Sequence, residues 1–172
     1  MMPITEKSSQ RMFATLLFAV VAATMSGCAT DAAKPGVVER KHTETCVATD
    51  EKEIAALFDR WNNSLRSGDV HKVVANYAPL SVLLATLSNK PRVTVEEKED
   101  YFEHFLENKP FGHIDWRSIE VDCNTAVDDG LYTFTFEKNG TRVKARYTFA
   151  YRWNGQQWLI TSHHSSMMPE KN

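Results

Sequence analysis

The stretch that decides the fold runs from residue 130 to residue 167 and reads GLYTFTFEKNGTRVKARYTFAYRWNGQQWLITSHHSSM. Apolar and polar residues alternate along it, which is typical of antiparallel strands with one buried face. Asn139-Gly140 and Asn154-Gly155 interrupt the alternation, and Asn-Gly is a preferred dipeptide of two-residue β-hairpin turns. The stretch therefore predicts three consecutive antiparallel strands, at about 130–138, 141–153 and 157–166.

Counting outward from two-residue turns predicts which side chains share a face of this sheet. The count places Arg146 opposite both Thr133 and His163, and it places Lys144 opposite Ser165. One face is then aromatic and consists of Tyr132, Phe134, Phe136, Val143, Tyr147, Phe149, Tyr151, Trp158 and Ile160. The other face is polar and consists of Thr133, Thr135, Lys144, Arg146, Thr148, Thr161, His163 and Ser165. His164 falls on the aromatic face, as a packed or interface histidine.

Upstream of residue 110 the apolar residues recur at helical spacing. Asp50 caps a helix, predicted over 54–67, that carries Phe58 and Trp61, and Asp69 caps a short helix with Tyr77 on its apolar side. Residues 82–84 read as a strand. Thr94-Val-Glu-Glu97 is a capping box that opens a third helix containing Tyr101. A bulged strand follows, with the alternation slipping at Arg117-Ser118.

These patterns predict an α+β domain in which three helices pack on a curved, mostly antiparallel sheet. The chain of 172 residues is long enough for one such domain. We expect it to occupy residues 48–172, after a signal peptide at 1–27 and a tether at 28–47.

The N-terminal segment resembles a bacterial lipoprotein signal. Lys7 and Arg11 precede an apolar stretch over 12–25, and Met25-Ser-Gly-Cys28 resembles a lipobox, which makes Cys28 the lipid attachment residue. An ordinary signal peptide cleaved at a nearby alanine is the alternative. Both predict export, and Ala29 favours outer-membrane over inner-membrane retention in the lipoprotein case. We therefore expect a lipid-anchored protein of the bacterial cell envelope that faces the periplasm.

Charge and cysteine content narrow the function classes. Cleavage at Cys28 leaves 18 basic and 21 acidic residues, so no electrostatic footprint for nucleic acid is present. The remaining cysteines, Cys46 and Cys123, suggest a disulfide in an oxidising compartment, although two separate buried thiols are the alternative. The sequence contains no Cys-x-x-Cys or His/Cys cluster, so we predict neither a metal site nor a cofactor.

The polar face of the predicted sheet has two interpretations. It meets water while the aromatic face packs on the helices, or it is concave and roofed by helices while the aromatic face becomes a subunit interface. In the second case Arg146 and His163 form a semi-buried pair suited to a carboxylate or another anion. We regard Lys144, Ser165 and Thr133 as further ligand-pocket candidates.

Several segments resemble one known family. These are Phe58-x-x-Trp61 with Gly68-Asp69, the Tyr101-Phe102 helix, and Gly155-x-x-Trp158 leading into His163-His164-Ser-Ser. They resemble the association (hub) domain of calcium/calmodulin-dependent protein kinase II and its stand-alone bacterial relatives. Those relatives include the SgcJ/EcaC type, within the nuclear-transport-factor-2-like (NTF2-like) or SnoaL-like superfamily.

The resemblance implies a cone-like fold with a pocket between sheet and helices, and a homodimer or larger ring formed through sheets. It also adds Asn89, Arg92 and Tyr101 as rim residues, with structural roles equally open. Our leading hypothesis is a non-enzymatic module that binds itself, the membrane and a small, anionic molecule. The alternative is a SnoaL-like enzyme of isomerase, cyclase or hydrolase type, with His163 as general base and Arg146 stabilising an oxyanion.

Overall fold

The computed structural model describes residues 45–169, and the predicted signal peptide, Cys28 and most of the predicted tether lie outside them. The helices are α1 (Glu51–Arg66), α2 (Val70–Val74) and α3 (Val95–Leu106). The strands are β1 (Tyr77–Leu84), β2 (Pro110–Val121), β3 (Thr125–Phe136), β4 (Thr141–Trp153) and β5 (Trp158–Met167). None of the helices in the described residues is long and apolar enough to cross a membrane.

The helices begin at the predicted capping residues. The Asp50 side chain accepts a hydrogen bond from the backbone N–H of Glu53 at 2.8 Å, and Asp69 caps α2 in the same way. Both hydrogen bonds of the capping box between Thr94 and Glu97 are present. Tyr77 is the exception, because it lies in β1 instead of on α2.

The five strands form one sheet in the order β1-β5-β4-β3-β2. Strand β1 runs parallel to β5, and the other neighbours are antiparallel. All three helices precede the antiparallel strands β2 to β5 in sequence, and β1 lies between α2 and α3. The predicted class, an α+β fold with a mostly antiparallel sheet, is confirmed.

Both Asn-Gly connections are four-residue loops, so the prediction of two-residue turns is wrong. Phe136 pairs with Thr141, and Trp153 pairs with Trp158. The glycines still have positive φ, +70° at Gly140 and +99° at Gly155. Each longer loop shifts the register by two residues. Because side chains alternate with a period of two, the predicted faces of β3 and β4 are unchanged.

A bulge in β5 does change the predicted faces. Tyr151 pairs with Ile160, but the preceding residue, Ala150, pairs with Ser162, so Thr161 is an extra residue in the strand. Every residue of β5 after the bulge therefore points to the face opposite to the predicted one. In β2 the register shift lies between Ile114 and Trp116, not at Arg117-Ser118.

The aromatic face of the sheet packs against the helices and forms the core, so the predicted use of this face as a subunit interface is wrong. Phe58 and Trp61 of α1 have ring contacts with the strands, Phe58 with Tyr147 and Trp61 with Phe134. Phe149 contacts both helical rings and is completely buried. We call this side the inner face, and the opposite side the outer face.

The predicted disulfide between Cys46 and Cys123 is confirmed. The two Cα atoms lie 4.3 Å apart, and the bond closes a sequence separation of 77 residues. Beside it, the backbone N–H of Val47 donates to the carbonyl of Cys123 at 2.9 Å. The bond therefore attaches the chain before α1 to the loop between β2 and β3.

Candidate functional site

A cavity of about 120 Å³ lies between α3, the loop after β1 and the inner face of the sheet. Its walls are mainly aromatic and aliphatic, with contributions from Phe102, Phe134 and Val143. Leu87 and Met167 also line it and are 80% and 53% exposed, so they mark its mouth. The lining residues include no lysine, arginine, aspartate or glutamate. The space accommodates about one aromatic ring.

His163 lies in the wall of this cavity, on the inner face of β5. The bulge at Thr161 places it there. Its imidazole stacks on the Phe149 ring at 4.0 Å between centroids and meets the edge of Trp61 at 5.3 Å. Its Nδ1 atom is 2.8 Å from the Tyr77 hydroxyl, whereas its buried Nε2 atom has no hydrogen-bond partner among the described residues.

The imidazole of His163 is neutral across the physiological pH range. Burial, and to a smaller extent the neighbouring His164, lowers the pKa of His163 to about 3. Burial also raises the pKa of the Tyr77 hydroxyl well above its usual value. The pair therefore consists of two uncharged groups, one of which has a ring nitrogen without a partner.

A second polar group in the cavity wall is satisfied internally. The Tyr132 hydroxyl donates to Ser165 Oγ at 2.5 Å, and Ser165 Oγ is 2.8 Å from Thr86 Oγ1. Burial raises the pKa of Tyr132 above its usual value. These three hydroxyls share two hydrogen bonds, so each oxygen has a partner within the wall, while one hydroxyl hydrogen of the chain is left over.

Tyr101, on α3, lines the cavity near Arg92. Burial raises the pKa of Tyr101 to about 12, and the Arg92 guanidinium carbon lies 5.9 Å from the centre of its ring. Arg92 does not line the cavity itself. Its guanidinium donates to the Asp100 carboxylate and to the Glu97 carbonyl.

The predicted pair of Arg146 and His163 is not formed, and this corrects the predicted anion site. Arg146 pairs with Ser166 and is exposed on the outer face, whereas His163 pairs with Phe149 on the inner face. The catalytic arrangement of these two residues, proposed as the alternative, is therefore wrong as well.

Other predicted pocket residues also lie away from the cavity. Lys144 is exposed on the outer face, and Thr133 is buried there with its hydroxyl donating to Asp115 Oδ2 at 2.6 Å. Asn89 is exposed in the loop before α3. His164, predicted to be packed on the aromatic face, is exposed on the outer face because of the same bulge. Tyr101, His163 and Ser165 are the predicted residues that the cavity brings together.

The sequence contained signals for what was missed. Trp158, Leu159 and Ile160 are consecutive apolar residues in a strand that otherwise alternates, and all are buried. Such a break in the alternation indicates a bulge. Pro79, two residues after Tyr77, argued against extending the helix over Tyr77. The partnership of Tyr77 and His163 spans 86 residues and had no local signal.

A second group of buried polar side chains lies elsewhere on the inner face. Asp128 is completely buried, accepts a hydrogen bond from the Tyr147 hydroxyl at 2.8 Å, and lies 3.1 Å from Arg117 Nη2. The contact with Arg117 is ionic and is not aligned as a hydrogen bond. Burial raises the pKa of Asp128, and Tyr147 and Arg117 oppose that shift. The charges are paired, and none of these residues lines the cavity.

Comparisons with known proteins identify the fold and the family. The sequence model for the calcium/calmodulin dependent protein kinase II association domain matches residues 50–169. No curated protein sequence matches the chain significantly.

Solved structures agree with this assignment. A protein from Xanthomonas campestris, assigned to the same association domain, is 47% identical with a TM-score of 0.69, covering 77% of this chain and all of that one. An NTF2-like protein of unknown function from Pseudomonas putida is 20% identical, with a TM-score of 0.60 and 67% and 84% coverage. A candidate dehydratase of the NTF2-like family from Streptomyces avermitilis is 11% identical, with a TM-score of 0.62 and 69% and 96% coverage. The last two similarities concern the fold alone.

Proposed function

The chain belongs to the calcium/calmodulin dependent protein kinase II association domain family, and we propose that it is a lipid-anchored, self-associating module that binds a small neutral ligand. The observation that carries the proposal is the Nε2 atom of His163, which is buried without a partner in the wall of an aromatic cavity. A buried polar atom of this kind costs about 1–3 kcal/mol unless a ligand or water pairs with it. A ligand that fills the cavity and contacts this atom removes that cost.

The chemistry of the cavity selects the ligand. Its walls carry no cation, so a carboxylate entering it loses its hydration without gaining an ion pair. A neutral molecule with an aromatic or aliphatic ring loses little on entry and buries apolar surface. The exposed positions of Leu87 and Met167 at the mouth allow a substituent to extend into solvent.

Self-association is supported by the family's description as an association domain. Because the inner face of the sheet is covered by helices, the outer face is the sheet surface available to a second copy. Trp116 lies on it and is 58% exposed, an unusual position for a tryptophan unless it has a partner. Arg146 and Lys144 share this outer face and have no role in the ligand site.

Export and lipid attachment rest on the N-terminal sequence alone. We propose that Cys28 becomes the lipidated first residue and holds the protein at the periplasmic side of the outer membrane. The disulfide between Cys46 and Cys123 suits an oxidising compartment of this kind.

One experiment tests these parts separately. The full-length chain is expressed in a bacterial host from Met1, extracted from membranes in mild detergent and measured by native mass spectrometry. We expect a mature chain that starts at lipidated Cys28, a dimer or larger ring, and an added small mass that is lost on denaturation. A chain that retains residues 1–27 contradicts export, and a monomer contradicts self-association.

The ligand class is tested by thermal shift with benzamide and benzoate, which have the same ring and differ in charge. We expect benzamide to raise the melting temperature and benzoate to have little effect. The Arg146→Ala variant is the control, since the proposal predicts the same response as in the unmodified chain. A larger shift with benzoate, lost in Arg146→Ala, restores the anion hypothesis.

A further inference from the structure

The hydrogen bond between Tyr77 and His163 determines which ring nitrogen of the histidine carries the proton. The Tyr77 side chain is buried, and its hydroxyl lies 2.8 Å from His163 Nδ1. The indole N–H of Trp61 also acts on this hydroxyl as a hydrogen-bond donor, and it cannot accept from it. A neutral imidazole has one N–H donor and one acceptor nitrogen, so two arrangements are available.

The two arrangements differ in how many buried polar groups lack a partner. If Tyr77 donates to Nδ1, the unpaired group is the Nε2–H of His163. If Nδ1–H donates to Tyr77, both the Tyr77 hydroxyl hydrogen and the Nε2 lone pair are unpaired. Because each unpaired buried group destabilises the fold, the first arrangement is favoured.

We infer that Tyr77 holds His163 in the Nε2–H form, so that the cavity selects neutral ligands with a hydrogen-bond acceptor, such as a carbonyl oxygen or an aromatic ring nitrogen. The inference rests on the proposed function, because it names the ligand class of the same cavity. Tyr77 is a positioning residue in this scheme, since it acts on the ligand through the imidazole.

The surroundings of His163 favour a donor role over a basic one. An Nε2 atom that already carries hydrogen has no lone pair for a proton, and the acceptor nitrogen Nδ1 is bonded to Tyr77. Protonation of Nδ1 would form the imidazolium, which burial disfavours. The rings of Phe149 and Trp61 on either side provide no charge to stabilise that cation beyond their π faces. The site is therefore suited to orienting a polarised carbonyl or aza group, not to removing a proton.

The other hydroxyls of the cavity do not supply an equivalent donor. Ser165 is already bonded to Tyr132 and Thr86. Tyr101 forms no hydrogen bond to another described residue, but its ring lies at the α3 wall, and its hydroxyl is not fixed by a partner. The indole N–H of Trp61, which also lines the cavity, is a second buried donor. His163 Nε2–H differs from it because its protonation depends on Tyr77.

The tautomer is read directly by NMR on the full-length chain labelled with nitrogen-15. Long-range correlations between the carbon-bound protons of each imidazole and its two ring nitrogens show which nitrogen is protonated at pH 7. We expect His163 to be protonated at Nε2 in the absence of any ligand. Protonation at Nδ1 overturns the inference, whatever the ligand experiments show.

Ligand selection is measured with benzaldehyde and styrene, which have similar size and shape but differ in the carbonyl acceptor. We expect benzaldehyde to bind about five- to tenfold more tightly, the value of one ordinary hydrogen bond. In Tyr77→Phe the imidazole is free to change tautomer, so we expect this discrimination to decrease. Tyr151→Phe is the matched control, because it removes a buried tyrosine hydroxyl that lies outside the cavity lining.

The outcomes separate the inference from the proposed function. Equal affinity for the two probes, with Nε2 protonated, overturns the acceptor selectivity and leaves a ligand-binding cavity. Binding of neither probe, nor of any other neutral ring compound, overturns the proposed function and the ligand class together. If Tyr77→Phe does not fold, the NMR measurement and the probe pair on the unmodified chain still decide.

Discussion

Two groups of buried polar side chains lie on the inner face of the same sheet, and they differ in how they are satisfied. Asp128 is completely buried, has Tyr147 as a donor and Arg117 as a counter-ion, and does not line the cavity. His163 has Tyr77 on one nitrogen, lines the cavity, and has its second nitrogen unpaired among the described residues. Similar burial therefore has two outcomes: the charges of the first group are paired with each other, whereas the second group has an unpaired ring nitrogen in the wall of a cavity.

Of the substitutions that test this comparison, the removal of Asp128 is expected to change the free energy of unfolding most. Asp128→Ala leaves the half-buried Arg117 without its counter-ion and the Tyr147 hydroxyl without its acceptor, so we expect it to reduce the free energy of unfolding by about 3 kcal/mol. Chemical denaturation measures the change. Asp129→Ala is the control, because the neighbouring carboxylate lies on the outer face and is expected to change stability by about 0.5 kcal/mol or less. Equal losses in both variants contradict the structural role of the Asp128 group.

The pH dependence of stability distinguishes the His163 group. The pKa of His163 falls from 6.5 in the unfolded chain to about 3 in the folded one, so the unfolded state binds more protons between these values. The contribution of His163 to the free energy of unfolding is therefore complete above pH 6.5 and decreases by about 1.4 kcal/mol per pH unit as the pH falls from 6.5 towards 3. Denaturation curves at pH 7, 6, 5 and 4 measure the free energy of unfolding over the pH range in which His163 contributes this decrease.

Two variants isolate the contribution of His163 to that slope. His163→Gln removes the titrating group, so the contribution of His163 to the pH dependence should disappear. His104→Gln replaces an exposed histidine and should leave that contribution unchanged. Taking the difference between variant and unmodified chain cancels the opposite contribution of Asp128, whose raised pKa favours the folded state at low pH. Identical slopes in the unmodified chain and in His163→Gln refute the burial of a neutral imidazole.

Larger side chains at two buried alanines test whether the inner face has free space beside His163 and none elsewhere. Ala145 lines the cavity, while Ala126 is buried on the same face away from it; their exposed fractions are 4% and 3%. We expect Ala126→Leu to cost about 1–3 kcal/mol through overpacking, and Ala145→Leu to be tolerated. Ala145→Leu should also abolish binding of benzaldehyde, which calorimetry measures. If both substitutions cost the same, the cavity is not available.

The smallest effect is expected at Arg146. Because its side chain is exposed on the outer face, Arg146→Ala should change the free energy of unfolding by about 0.5 kcal/mol or less. The affinity for benzaldehyde should be unchanged, as measured in the same calorimeter with the unmodified chain alongside. A tenfold weaker affinity would mean that Arg146 reaches the ligand.

The secondary structure and the aromatic face were predictable because they depend on local rules. Asp50 and Thr94 cap their helices where the sequence predicts. The alternation in β3 and β4 identifies the buried face even though the loops at Gly140 and Gly155 are longer than predicted. Because side chains alternate between faces with a period of two, an error of two residues in register leaves every side chain of β3 and β4 on its predicted face.

The site was less predictable because it depends on a single inserted residue and on distant partners. The bulge at Thr161 shifts the register by one, and a shift by one moves His163 from the outer face to the inner face. The prediction therefore identified the right histidine and gave it the wrong neighbours. Tyr77 and Trp61, which surround the imidazole, come from other parts of the chain, and no short-range pattern relates them to it.

The disulfide between Cys46 and Cys123 has a mechanical consequence. A pull on the segment that precedes Cys46 is transmitted through this bond to the loop between β2 and β3, because the bond precedes α1 in the chain. The load is then shared with two paired strands and does not fall on the first turn of α1 alone. Reduction of the bond would direct the same pull to the α1 end, where the backbone hydrogen bonds open one after another.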